Sequence, residues 1–166
     1  MKLKEAQSDF IRLWGNFGSQ WGVNKTMAQV HALLLTSRKA LSTDDVMEQL
    51  AISRGGANMN LRELMHWNLI YKVSRTGDRK EFFEAEKDMW EVAKRITRER
   101  KRREIEPLMQ HLTRLKEVEE SGEEVKEFKG MLGDIERLVD RLDKLSEGLM
   151  KAEESAFFGA IIRILK

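Results

Sequence analysis

The amino-acid sequence predicts a mainly α-helical chain carrying one two-stranded β wing. Three observations lead there. Apolar residues recur at spacings of three and four along most of the 166 residues. Two β-prone runs, Leu69–Val73 and Lys80–Ala85, flank the polar run Ser74–Arg79 as strands flank a hairpin loop. A single proline and a charged content of 35% suit long, solvated helices.

Residues 5–21 form the first expected helix, with Phe10, Leu13, Trp14, Phe17 and Trp21 at helical spacing. Packing against a neighbouring helix is the first reading of these aromatics. The second is a wall for a small amphiphilic cation, because tryptophan faces attract quaternary ammonium groups. Trp14, Phe17 and Trp21 would supply that wall, with Trp67 as a fourth face. Gly15, Gly18 and Gly22 weaken helix propensity and permit a close backbone approach to a packed element or a ligand. Asn24 is placed to cap a second helix reaching about Ser37, buried through Met27, Val30, Leu33 and Leu34. His31 lies on it as a packed or surface side chain.

Ser42 caps the third helix, with Asp44 and Asp45 in the first turn, where carboxylates favour the positive dipole end. Val46, Met47 and Leu50 form its apolar face, Ala51 and Ile52 a turn, and Ser53 the next cap. The fourth helix divides cleanly. Ala57, Leu61, Leu64 and Met65 face inward, while Arg54, Asn58 and Arg62 share the outer side with Gly55 and Met59 beside them. An apolar inner face and an Arg/Asn outer face suit an element that reads the DNA major groove. With the hairpin that follows, these pieces make a winged helix-turn-helix. Arg54 in the first turn suits a guanine edge or a phosphate, and Asn58, one turn on, matches adenine geometry. Ser53 and Gly55 sit where the helix N-terminus would approach the phosphate backbone. Arg75, Arg79 and Lys80 cluster about the wing tip, suited to a narrow minor groove.

From Lys87 the helical period takes over. Met89, Val92, Ala93 and Ile96 lead into Lys94–Arg103, a run of basic residues interrupted by Glu99. That run is either a solvated helix face or a phosphate contact. Pro107 predicts a kink or break near Glu104–Pro107. Leu108, Leu112 and Leu115 resume a stripe, and Gly122 marks a turn. A last helix repeats Val125, Phe128, Leu132, Ile135, Val139 and Leu142 at spacings of three and four, as a dimerisation helix would. The apolar tail Ala156–Lys166 is expected to be buried in a subunit interface. The resulting division is an N-terminal helix over 1–23 packing with the dimerisation region, a winged helix-turn-helix over 24–86, and helical dimerisation over 87–166.

The run Trp67–Trp90, with Leu41–Leu64 before it, resembles the GbsR-type branch of the MarR-like transcriptional regulators. The likeness spans roughly residues 22–107 and is strongest over the wing, where Gly77–Lys80, Phe82, Phe83, Ala85 and Glu86 stand together. It implies a homodimeric DNA-binding repressor under small-molecule control. One departure is Asn58 and Asn60, where relatives often carry small hydroxyl residues, so no operator sequence carries over.

Charge supports the same partner. Residues 1–103 hold 20 Lys/Arg against 13 Asp/Glu, whereas residues 104–166 hold 10 against 15. The basic excess coincides with the DNA-reading unit. The absence of cysteine excludes disulfides, thiolate metal sites and cysteine catalysis. His66 and His111 are far apart in sequence with no acidic partner at metal-ligand spacing, so no metal site is expected, and no GxSxG, GxxxxGK[ST] or GxGxxG motif occurs. Neither an enzyme nor a cofactor is expected. No apolar run reaches the ~20 residues of a membrane span, so a cytoplasmic protein with no membrane partner is expected. The alternative function is a protein–protein interaction module built on the same winged helix and coiled coil.

Overall fold

The computed structural model describes residues 1–152 apart from Arg75, Thr76 and Asp78. The expectations for Arg75 and for the apolar tail therefore lie outside the described residues. Two compact units follow each other along the chain, the first ending at Ile96 and the second beginning at Thr97.

The first unit starts with α1 (Leu3–Gln20) packed on α2 (Lys25–Thr36). Two glycines set that contact. A Cβ at Gly15 would stand 2.5 Å from Gln29 Cγ, and one at Gly18 would stand 2.7 Å from Ala28 Cβ. α2 is capped as its sequence predicts, the Met27 amide donating to Asn24 Oδ1 at 3.0 Å. Its far end is tied down from a distance. Lys87 Nζ donates to the carbonyls of Leu34, Leu35 and Ser37 at 2.7, 2.7 and 3.1 Å, satisfying acceptors left over at a helix C-terminus. Removal from water lowers the Lys87 pKa.

A short strand, β1 (Leu41–Ser42), precedes α3 (Thr43–Leu50). Ser42 and Asp45 form a reciprocal cap: the Asp45 amide donates to Ser42 Oγ, and the Ser42 amide donates to Asp45 Oδ2 at 2.7 Å. Ala51, in the left-handed region at φ 51°, turns the chain toward α4 (Arg54–His66). The Gly56 amide donates to Ser53 Oγ at 3.1 Å. Ala57, Leu61 and Leu64 are buried and Met65 packs against the same cluster, so the inner face forms as its spacing predicts. Asn60 is buried too, its Nδ2 donating to the Gly56 carbonyl at 2.7 Å.

β2 (Ile70–Val73) and β3 (Phe82–Ala85) make the expected wing, Ile70 opposite Ala85 and Val73 opposite Phe82. The sheet has a third strand. β1 pairs antiparallel with β3, Leu41 opposite Phe83, giving the order β1-β3-β2. Two residues are too few for a period-two pattern, which is why the sequence shows only two strands. The core of the unit joins Val30 and Leu34 of α2, Val46 of α3, Leu61 and Leu64 of α4, Phe83 of β3 and Val92 of α5 (Met89–Arg100).

In the second unit the chain stays helical through Glu104–Pro107, where a kink or break is expected. Residues Lys101–Ile105 are π-helical, and the Glu106 amide donates to the Lys101 carbonyl five residues back. α6 (Glu106–Leu115) then carries Pro107 in its first turn, where a missing N–H is tolerated. Widening one turn changes the hydrogen-bond register ahead of the proline, so the helical path runs on. Gly122, at φ 152°, precedes α7 (Glu123–Ala152). Leu112 and Leu132 are buried, and Lys116 pairs with Glu136 between α6 and α7. Much of the α7 stripe stays uncovered: Leu138, Leu142 and Leu145 are 58%, 57% and 65% exposed. Among the described residues, no helix is long and apolar enough to cross a membrane.

Candidate nucleic-acid interface

The helix-turn-helix and wing bring most of the expected DNA-contacting residues to the surface. Ser53, Arg54, Gly55, Asn58 and Arg62 are all exposed along α4, as are Arg79 and Lys80 where the wing returns. Buried Ala57, Leu61 and Leu64 fix the rotation of α4 about its axis, and that rotation turns Arg54, Asn58 and Arg62 outward together. Nothing lies within 4 Å of the place a Gly55 Cβ would occupy. The N-terminal turn of α4 is therefore open to close approach by a partner.

The first turn of α3 supports this surface from below. Asp44 accepts from Arg54 Nη2 at 2.5 Å through one carboxylate oxygen and from Lys80 Nζ at 3.1 Å through the other. Hydrogen bonds from Lys80 and then Arg54 hold the Asp44 carboxyl below its ordinary pKa range. Thr43 Oγ1 donates to Asn58 Oδ1 at 3.4 Å. Asp44 reads in the sequence as a helix-dipole residue, and no local signal shows that it also gathers cations 10 and 36 residues away. Lys80, expected at the wing tip, is thereby tied to α3.

A second cluster anchors the base of the wing. The Tyr71 hydroxyl donates to Glu86 Oε2 at 2.5 Å, and Arg95 pairs with Glu86 at 3.1 Å. Arg95 Nη1 donates to the Asn68 carbonyl at 2.6 Å and to the Tyr71 hydroxyl, with its guanidinium over the Tyr71 ring. The hydrogen bond from Tyr71 is the main cause of the lowered Glu86 pKa. No sequence pattern links Tyr71, Glu86 and Arg95 to one another, because their meeting depends on β2, β3 and α5 converging.

The basic run Lys94–Arg103 is extensively paired within the chain. Lys94 pairs with Glu91 and Arg95 with Glu86 in the first unit. In the second, Glu99 takes both Arg102 and Arg103, Arg100 meets Glu104, and Lys101 bridges Asp143 and Glu147. These ion pairs account for much of the run as helix-face chemistry.

On α1 the aromatic residues form a ladder. Ring centroids lie 5.5 Å apart for Phe10–Trp14, 5.9 Å for Trp14–Phe17 and 5.5 Å for Phe17–Trp21. Phe17 and Trp21 are exposed, whereas Trp14 is half-buried with its ring 6.4 Å from that of His31. Trp67 is a core residue whose indole N–H donates to Glu63 Oε1 at 3.1 Å. His31 is buried, its Nε2 has no hydrogen-bond partner, and burial, aided by Lys87, lowers its pKa to about 4.

No family model matches the chain. A protein of Bacillus subtilis (strain 168), YvaV, whose name describes it as an HTH-type transcriptional regulator, is 23% identical over 90 residues. That match covers 54% of this chain and 51% of YvaV, so the chain spans about half the length of this curated relative. A crystal structure described as a transcriptional regulator superposes with a TM-score of 0.69 at 16% identity, covering 90% of this chain and 98% of the other. A mutant of S. aureus MepR bound to an oligodeoxyribonucleotide gives a TM-score of 0.41 at 16% identity, covering 80% and 89%. The first of these solved structures shows the same fold, a mostly helical chain with a small antiparallel sheet.

Proposed function

We propose that the chain is a sequence-specific DNA-binding transcriptional regulator, a repressor of the GbsR-type branch of the MarR-like regulators acting as a homodimer. The observation that carries this reading is the single exposed face of α4. There Arg54, Asn58 and Arg62 stand clear of a buried apolar side, with Lys80 of the wing gathered to the same Asp44. The descriptions of YvaV and of the solved transcriptional regulator support it. In a dimer, two copies of α4 would enter successive major grooves about 34 Å apart. An effector that changed their separation would break simultaneous docking. The exposed π-faces of Phe17 and Trp21 favour a small amphiphilic cation as that effector, at roughly 2 kcal/mol per desolvated contact. Quenching or a shift of tryptophan emission by choline or glycine betaine, lost in Trp21→Ala, is the expected result.

The test of DNA reading is a gel-shift titration on a duplex selected from a random library and on its shuffled counterpart, at several salt concentrations. Arg54→Ala should lose sequence preference, at on the order of 1–3 kcal/mol for a lost base contact. Arg79→Ala should weaken both duplexes alike. A steep salt dependence marks phosphate contact through counterion release. A chain that selects no sequence and responds little to salt would instead be a protein-binding module.

A further inference from the structure

We propose that Asp44 is a positioning residue that sets the base selectivity of this surface, an inference that rests on α4 being the DNA-reading helix. Asp44 lies on α3, yet it touches the two elements that would meet DNA. One oxygen holds Arg54 Nη2 at 2.5 Å and the other holds Lys80 Nζ at 3.1 Å. The side chains of Arg54, Lys80 and Asp44 are 63%, 62% and 44% exposed. Ion pairs so exposed add little to folding stability, so stability does not account for the arrangement.

Its consequences for DNA recognition are larger. A free arginine samples many rotamers, and bidentate contact with a guanine edge needs one of them. Held by Asp44 through one terminal nitrogen, the Arg54 guanidinium is biased toward one of those rotamers before any DNA arrives. The same carboxylate places a negative charge beside both cations. That charge repels phosphate, which is anionic, far more than the neutral acceptors of a base edge. Asp44 thus favours base contact over backbone contact in two ways. Thr43, its neighbour, bonds to Asn58 and supports the next reading position from the same turn.

The experiment uses the full chain, with a duplex selected by the wild type from a random library and a shuffled control. Thermal melts first confirm that Asp44→Asn folds, as its exposed position leads one to expect. Asp44→Asn should bind the shuffled duplex several-fold tighter, while the ratio of selected to shuffled affinity falls by about tenfold. In an Arg54→Ala background, which keeps little sequence preference, Asp44→Asn should change both affinities alike, because its effect on selectivity passes through Arg54. Equal tightening on both duplexes would overturn the proposal, showing a carboxylate that merely repels DNA. So would affinities that do not change at all, or a ratio that Asp44→Asn shifts as far in the Arg54→Ala background as in the wild type. A wild type that enriches no sequence would overturn the DNA-reading assignment itself, and this proposal with it.

Discussion

At Gly55 a single missing methyl group would separate folding from the proposed DNA contact. Open space surrounds the position, so alanine meets no obstacle in the first turn of α4. The folded chain should be as stable or up to about 1 kcal/mol more stable, since alanine reduces the freedom of the unfolded state. Duplex affinity should nevertheless fall, because the added carbon would stand between the helix N-terminus and a phosphate. Paired chemical denaturation and gel-shift curves for Gly55→Ala separate the two effects, and unchanged affinity would remove the close-approach role. His31 makes the opposite case, a titratable group buried on α2. Burial favours its neutral form, so the folded pKa is about 4 against 6.5 for the free side chain. The unfolded chain therefore takes up the proton first as pH falls. The stability tied to neutral His31 is complete above about pH 6.5, is lost progressively toward pH 4 and is level below that. Between pH 7.5 and 5.0, the wild type should lose about 2 kcal/mol more than His31→Leu in urea titrations.

Among the elements, the α1–α2 contact tests packing against propensity. Alanine at Gly18 should gain about 1 kcal/mol from helix propensity alone. Its Cβ would stand 2.7 Å from Ala28 Cβ, an atom fixed to the α2 backbone, so the two helices must separate. Overpacking of this kind costs about 1–3 kcal/mol, and Gly18→Ala should therefore be destabilised on thermal melting. This glycine was legible in the sequence as a site of close approach, though the partner was not. The same division runs through the molecule. The caps at Asn24, Ser42 and Ser53 and the inner face of α4 follow from local spacing and form as expected. β1 does not, because its two residues become a strand only when Phe82 and Phe83 lie alongside. The π-helical turn before Pro107 resolves a local conflict whose existence was visible but whose outcome was not. Asp44 and the Tyr71–Glu86–Arg95 cluster joined residues far apart in the chain, beyond the reach of any spacing argument.

At the scale of the whole molecule, assembly is the property on which the proposed DNA docking depends. A single chain leaves Leu138, Leu142 and Leu145 exposed, on a helix whose Leu132 is buried. Surface leucines repeated at helical spacing form a continuous apolar strip, and such strips mark association surfaces. A stable dimer hides about 800 Å² per partner, an area that a long helix can supply along one face. Replacing Leu138, Leu142 and Leu145 together by glutamate should leave the fold of each chain intact, because none of the three is buried in it. Like charges would then face each other across the strip. Light scattering on the wild type should give twice the 19.4 kDa chain mass at micromolar concentration, and the triple variant should give the single mass. Operator affinity should fall steeply in the variant, since one copy of α4 can then engage only one half-site. A wild type that scatters as a monomer would end the homodimer reading. A variant that stays dimeric would move the interface away from this strip.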